Sequence, residues 1–98
     1  MAAYFVANYR ITNTEDYKKY GAVVGPTLAP HGAEVLAADP ASEPMEGEPC
    51  DVTVVIKFPS KEAAKGWYNS PEYQAILPLR TDNSEGAAVL AAGREPPQ

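Results

Sequence analysis

FPSKEAAKGWYNSPEYQAILPLR, residues 58–80, decides how this chain folds. Ser60 and Ser70 are each placed to accept a hydrogen bond from a first-turn amide of a helix. Pro71 follows Ser70 at the first helical position, where a missing N–H costs nothing. Glu62 and Glu72 put negative charge near the positive ends of the two helix dipoles. The stretch therefore predicts two short helices, one starting at Ser60 and stopping at Asn69, the other restarting at Ser70. Trp67, Tyr68 and Tyr73 gather at the joint.

In the second helix Tyr73, Ile76, Leu77 and Arg80 fall at i, i+3, i+4 and i+7, which is one helical face. Three of these are core-like and the fourth is an arginine. Two placements are open for it. The helix can fray after Pro78, leaving Arg80 in solvent with its stem over apolar surface. Alternatively, Arg80 points into a partly enclosed cavity and meets a carboxylate from another residue or a ligand.

Just before this stretch, residues 51–58 (DVTVVIKF) alternate as a strand, with Val52, Val54, Ile56 and Phe58 on one face. Residues 3–11 (AYFVANYRI) do the same with Phe5, Ala7, Tyr9 and Ile11. Thr14 is expected to cap a helix with Tyr17, Tyr20, Val24 and Leu28 on its buried face. Gly25-Pro26 should bend or break that helix, and His31-Gly32 should close it, with Gly32 left-handed. Residues 33–38 form a second strand. Residues 39–49 (DPASEPMEGEP) are too rich in Pro, Glu and Gly for regular structure, and long connections of this kind tend to be binding or interaction loops. Residues 81–84 read as a turn and 86–92 (GAAVLAA) as a last strand. The order strand, helix, strand, strand, helix, strand is the α+β, ferredoxin-like β-α-β-β-α-β arrangement. It has a four-stranded antiparallel sheet with both helices, the second broken, on one face. Val6, Leu36, Val55 and Leu90 are expected on the open face, a patch that predicts a two-fold homodimer.

The chain has 98 residues, 45% of them hydrophobic, and a formal charge of −5 with a pI of about 4.7. It reads as a single domain, 1–98, with 94–98 a frayed tail. The acidity argues against nucleic-acid binding, which needs a basic patch. No run is long enough to span a membrane and the N-terminus does not read as a signal peptide. Cys50 is the one cysteine, which excludes an internal disulfide and fits a reducing, cytoplasmic location. With one histidine in the chain and a Pro-rich loop around it, Cys50 does not read as a catalytic thiol. No phosphate loop or metal-ligand spacing is present, so neither a metal nor an organic cofactor is expected.

Several of these residues together resemble a known family. Thr14, Tyr17 and Tyr20 after the first strand, Glu46-Gly47 before the third, and the run Phe58–Arg80 match the pattern of the DUF1330 family. That family is a domain of unknown function in the dimeric α/β-barrel, ferredoxin-like group. The resemblance covers nearly the whole length. One departure is His31-Gly32-Ala33, where the family often has an aromatic followed by Gly-Gly. The resemblance implies a dimeric α/β barrel with a cleft between sheet and helices that holds a small organic molecule. Related barrels include cofactor-free monooxygenases, lactone isomerases and proteins without known chemistry, so the reaction stays open at the level of the fold.

The expected catalytic residues are His31, Tyr73 and Arg80, and the expected substrate-binding residues are Tyr20, Glu46, Trp67 and Tyr68. His31 suits proton transfer near neutral pH, or else caps carbonyls at a helix end. Tyr20 is a core aromatic or a proton donor. Trp67 and Tyr68 are packing, or surfaces on which a planar ligand stacks. Glu46 is solvated, or is the carboxylate that meets Arg80. Two functions follow. One is a cofactor-free small-molecule enzyme performing proton transfer, isomerisation, cyclisation or hydrolysis of a polyketide-like or carbonyl compound. The other is a non-catalytic dimer that binds a small ligand or plays a structural part.

Overall fold

The computed structural model describes residues 1–94, so all of the expected tail but Arg94 lies outside the described residues. The elements are β1 (Ala3–Ile11), α1 (Thr14–Leu28), a 3-10 turn (Ala29–His31), β2 (Glu34–Asp39), β3 (Val52–Phe58), α2 (Lys61–Tyr68), α3 (Pro71–Thr81) and β4 (Ser84–Ala92). The strands form one antiparallel sheet in the order β2-β3-β1-β4. This is the expected α+β, ferredoxin-like arrangement. Helices cover the face that carries Ala3, Phe5, Ala7 and Tyr9, all buried.

Both serine caps form. Ser60 Oγ accepts from Ala63 N at 3.0 Å and Ser70 Oγ from Tyr73 N at 3.2 Å. Ser70 also donates to Trp67 O at 2.7 Å, so one buried hydroxyl ends α2 and starts α3. The aromatic joint is tight: the Trp67 and Tyr73 ring centroids lie 4.0 Å apart, with Tyr68 5.5 Å from Tyr73. Trp67 is fully buried and donates its Nε1–H to Thr27 Oγ1 at 3.0 Å, which ties the joint to α1. Roughly 200 Å² of indole surface leaves water here, worth about 5 kcal/mol at ~25 cal/mol per Å².

Four expectations are corrected. Asn13, not Thr14, caps α1, its Oδ1 accepting from Asp16 N at 3.2 Å, because the helix already starts at Thr14. Gly25-Pro26 does not break α1, which runs on to Leu28. Gly25 has no Cβ to crowd the proline ring, and Pro26 lies in the last turn, where one lost bond is tolerated. β4 begins at Ser84, leaving only Asp82 and Asn83 outside regular structure between α3 and β4. Leu90 pairs with Phe5 and so faces the helices; its neighbour Val89, opposite Val6 and 60% exposed, takes its place on the open face. Gly32 adopts the expected left-handed conformation, with φ 69°.

On the open face Asn8 secures the end of the long connection. Its amide donates to Cys50 O at 3.0 Å and its Oδ1 accepts from Cys50 N at 2.8 Å. β2 carries an irregularity between Val35 and Ala37, so that Val35 and Ala38 both pair with inward residues, Ile56 and Val54.

The cap at the joint sets the stability of the helical layer. Ser70→Ala is expected to cost about 1–2 kcal/mol in urea denaturation with an unchanged m value, more than Ser60→Ala, whose cap is less buried. Equal costs for the two variants would contradict the role given to Ser70.

Candidate functional site

α1 presents Tyr17, Tyr20 and Val24 to the sheet, which answers with Phe5, Tyr9 and Ile56. Between them is a cleft of about 210 Å³ with largely apolar walls. Among the described residues its one charged lining residue is Arg80, brought there because α3 continues through Pro78 to Thr81. The frayed-helix placement is therefore not the one adopted, and Arg80 is only 8% exposed.

Among the described residues no carboxylate pairs with Arg80. Its Nε is enclosed and has no hydrogen-bond partner. The guanidinium carbon lies 5.7 Å from the centre of the Tyr9 ring, within reach of a cation–π attraction. Burial works against its charge, but the Tyr73, Tyr20 and Tyr9 hydroxyls outweigh that and raise its pKa, so it stays a cation. An enclosed cation with an unused N–H has the chemistry to hold an anion.

The tyrosines form two hydrogen-bonded pairs. Tyr9 and Tyr17 share one bond, and the Tyr20 and Tyr73 hydroxyls lie 2.9 Å apart. Burial first, then the partner hydroxyl, pushes Tyr9 above the usual phenol range, and burial together with Tyr73 does the same to Tyr20. Both are neutral near pH 7 and can donate a proton in a hydrogen bond, but neither is a base there.

Of the seven expected site residues, Arg80 and Tyr20 line the cleft, and Tyr73 lies behind Tyr20 with no exposed surface. Trp67 is wholly buried in the joint and offers no face to a ligand. Tyr68 borders a second depression between α2 and β4. His31 lines a third, with Thr27, Pro30 and Glu72, and shares no residue with the Arg80 cleft. It ends there because the 3-10 turn closes α1 before β2 begins. Glu46 is exposed in the long connection and makes no ion pair with Arg80. Tyr9 and Tyr17 were not anticipated as cleft residues. Their signal was present, since Tyr9 is an inward β1 position and Tyr17 shares a helical face with Tyr20. No group of three or more potential metal ligands exists among the described residues, and no helix there is long and apolar enough to cross a membrane.

A buried cation without a counter-charge costs stability. Arg80→Met is expected to leave Tm unchanged or raise it by a few degrees, as for residues kept for a site and not for folding. A fall in Tm of roughly 10 °C or more, on the order of 2 kcal/mol, would make Arg80 a structural residue.

Three comparisons with solved structures concern the fold. A protein of unknown function from Rhodopseudomonas palustris superposes with a TM-score of 0.79 at 17% identity, covering 97% of this chain and 84% of that one. SnoaB, a cofactor-independent oxygenase from Streptomyces nogalater, gives 0.69 at 10% identity, covering 97% and 95%. A dimeric ferredoxin-like protein of unknown function from Thermobifida fusca gives 0.64 at 16% identity, covering 94% and 91%. No curated protein sequence matches the chain significantly. The model of a domain of unknown function, DUF1330, matches residues 2–94, and with nearly its whole length accounted for the chain belongs to that family.

Proposed function

We propose that the protein is a cofactor-independent enzyme that binds a small acidic or enolic organic molecule in the cleft between α1 and the sheet. The observation that carries this is Arg80, enclosed beside an otherwise apolar cleft, with no carboxylate partner among the described residues and no hydrogen bond at Nε. In this proposal Arg80 holds the anionic oxygen of a carboxylate or enolate, and neutral Tyr20 and Tyr9 donate hydrogen bonds to a second oxygen. Tyr73 keeps the Tyr20 hydroxyl in place. Stabilising an enolate in this way lowers the barrier to loss of an α-proton to solvent water, and so to isomerisation or ring closure next to a carbonyl group. Hydrolysis fits less well, because among the described residues no histidine or carboxylate lines the cleft to activate water. His31 has no part, since it borders another depression. The likeness to a cofactor-independent oxygenase supports a fold able to work without a bound cofactor, but does not name the reaction.

A second function, ligand binding without turnover, is favoured by one observation: Tyr9 and Tyr20 resist ionisation, so neither serves the cleft as a base at neutral pH. Calorimetry and proton exchange separate the two. The protein is expected to bind a small aromatic acid about tenfold or more tightly than its primary amide, and Arg80→Gln to erase that preference. Equal affinity for acid and amide would end the proposal. Faster deuterium incorporation at the α-carbon of an enolisable keto acid, lost in Arg80→Gln, would assign catalysis. Binding without such exchange would assign the non-catalytic function.

The proposal includes a homodimer. Val6 and Val55 pair on the open face, and Val89 and Leu36 are exposed there or at its edge. The Thermobifida relative in fold is described as dimeric. Sedimentation is expected to give twice the 10.5 kDa protomer mass, and Val89→Glu to shift it to the protomer. Wild-type protein that sediments as a monomer at micromolar concentration would remove the dimer.

A further inference from the structure

We infer that Gly21 sets the size of ligand the cleft admits, opening it to acids with a body larger than one ring. This rests on the cleft being a site for small acidic molecules.

The sheet-facing side of α1 is built from Tyr17, Tyr20, Val24 and Leu28, and all four line the cleft. Gly21 stands one turn after Tyr17 on that side and lines it too. A helix packed on a sheet ordinarily carries an apolar side chain at such a position. A glycine inside a helix also lowers its stability relative to alanine. Neither usual reason for a glycine applies. Gly21 is not among the residues with positive φ, and a Cβ built on it would meet nothing within 4 Å. Across the cleft the sheet adds two small residues, Ala7 of β1 and Ala38 of β2, beside the larger Phe5, Tyr9, Val54 and Ile56. At this point of the cleft the helix contributes no side chain and the sheet two short ones, where interiors normally pack closely. Gly21 is itself exposed, which puts it at the mouth.

These observations define the ligand. Its acidic end meets Arg80, and its apolar, flat body lies among Phe5, Tyr9 and Tyr20 and passes out over the bare backbone at Gly21. A leucine there would find room, so it would not disturb the fold, and it would occupy the space a second ring needs.

Calorimetric titration with salicylate and with 3-hydroxy-2-naphthoate tests this, using wild type, Gly21→Leu and, as control, Ala22→Leu, which changes an exposed residue outside the cleft. Gly21→Leu is expected to weaken the two-ring acid by about tenfold or more while salicylate changes by less than about threefold. Its Tm should equal or exceed that of wild type, because leucine favours the helix. Ala22→Leu should bind both acids as wild type does. Unchanged binding of the two-ring acid to Gly21→Leu would overturn the inference and leave the acid site standing. A lower Tm would overturn it too, by showing that the space is not vacant. If wild type binds neither acid, the acid site itself falls and the role of Gly21 with it.

Discussion

The tilted packing of Trp67 against Tyr73, with 4.0 Å between ring centroids, holds the break between α2 and α3, and the position of Arg80 in the cleft depends on it. Ser70 turns the chain at that point by capping one helix and bonding the last turn of the other. Thr27 receives the indole N–H and so fixes α1 to the same point. Once the break is fixed, the phase of α3 is fixed, and two turns after Tyr73 the guanidinium of Arg80 reaches the cleft. A straight helix over residues 61–81 would send that side chain elsewhere. The apolar joint is thus what supports a polar site, since an unpaired buried cation persists only where surrounding packing outweighs its cost.

The electrostatics of the cleft are one-sided. Arg80 brings positive charge without a carboxylate partner among the described residues, while Tyr9, Tyr17, Tyr20 and Tyr73 hydrogen-bond one another in two pairs. This leaves a cation and a set of neutral donors in a low-dielectric space, an arrangement that favours an anion with apolar surface around it. An anion with a large hydration shell would gain less from such walls. A protein of net charge −5 would also repel small anions at long range, so selection for an acid has to come from this local geometry.

Much of the fold was legible because its signals are local. The alternation of β1 and β3, the serine caps and the left-handed Gly32 each need only a few neighbouring residues to be recognised. The i, i+7 relation of Tyr73 and Arg80 put the arginine on the face of Tyr73, but left open whether the helix frays after Pro78, and the continuation of α3 to Thr81 decided it. What could not be read depends on partners far away in sequence. GAAVLAA alternates too weakly to show its phase, so only pairing with β1 decides that Leu90 turns inward and Val89 outward. His31 has suitable chemistry, but its location follows from how the 3-10 turn ends α1. Glu46 was linked to Arg80 by charge alone, and the connection that carries it stays at the surface. Tyr9 and Tyr17 were visible as apolar-face residues, while their meeting across the cleft required the packing of α1 on β1.

The central claim is that the Arg80 Nε–H is an unused donor kept for an acidic ligand. Its proton–nitrogen correlation in an NMR spectrum, assigned by its loss in Arg80→Met, observes that donor directly. On titration with 3-hydroxy-2-naphthoate this resonance should move downfield and saturate together with the backbone signals of Tyr20 and Gly21. An Nε–H signal that stays in place while those backbone signals move would mean that the ligand enters the cleft without meeting Arg80, and would contradict the account.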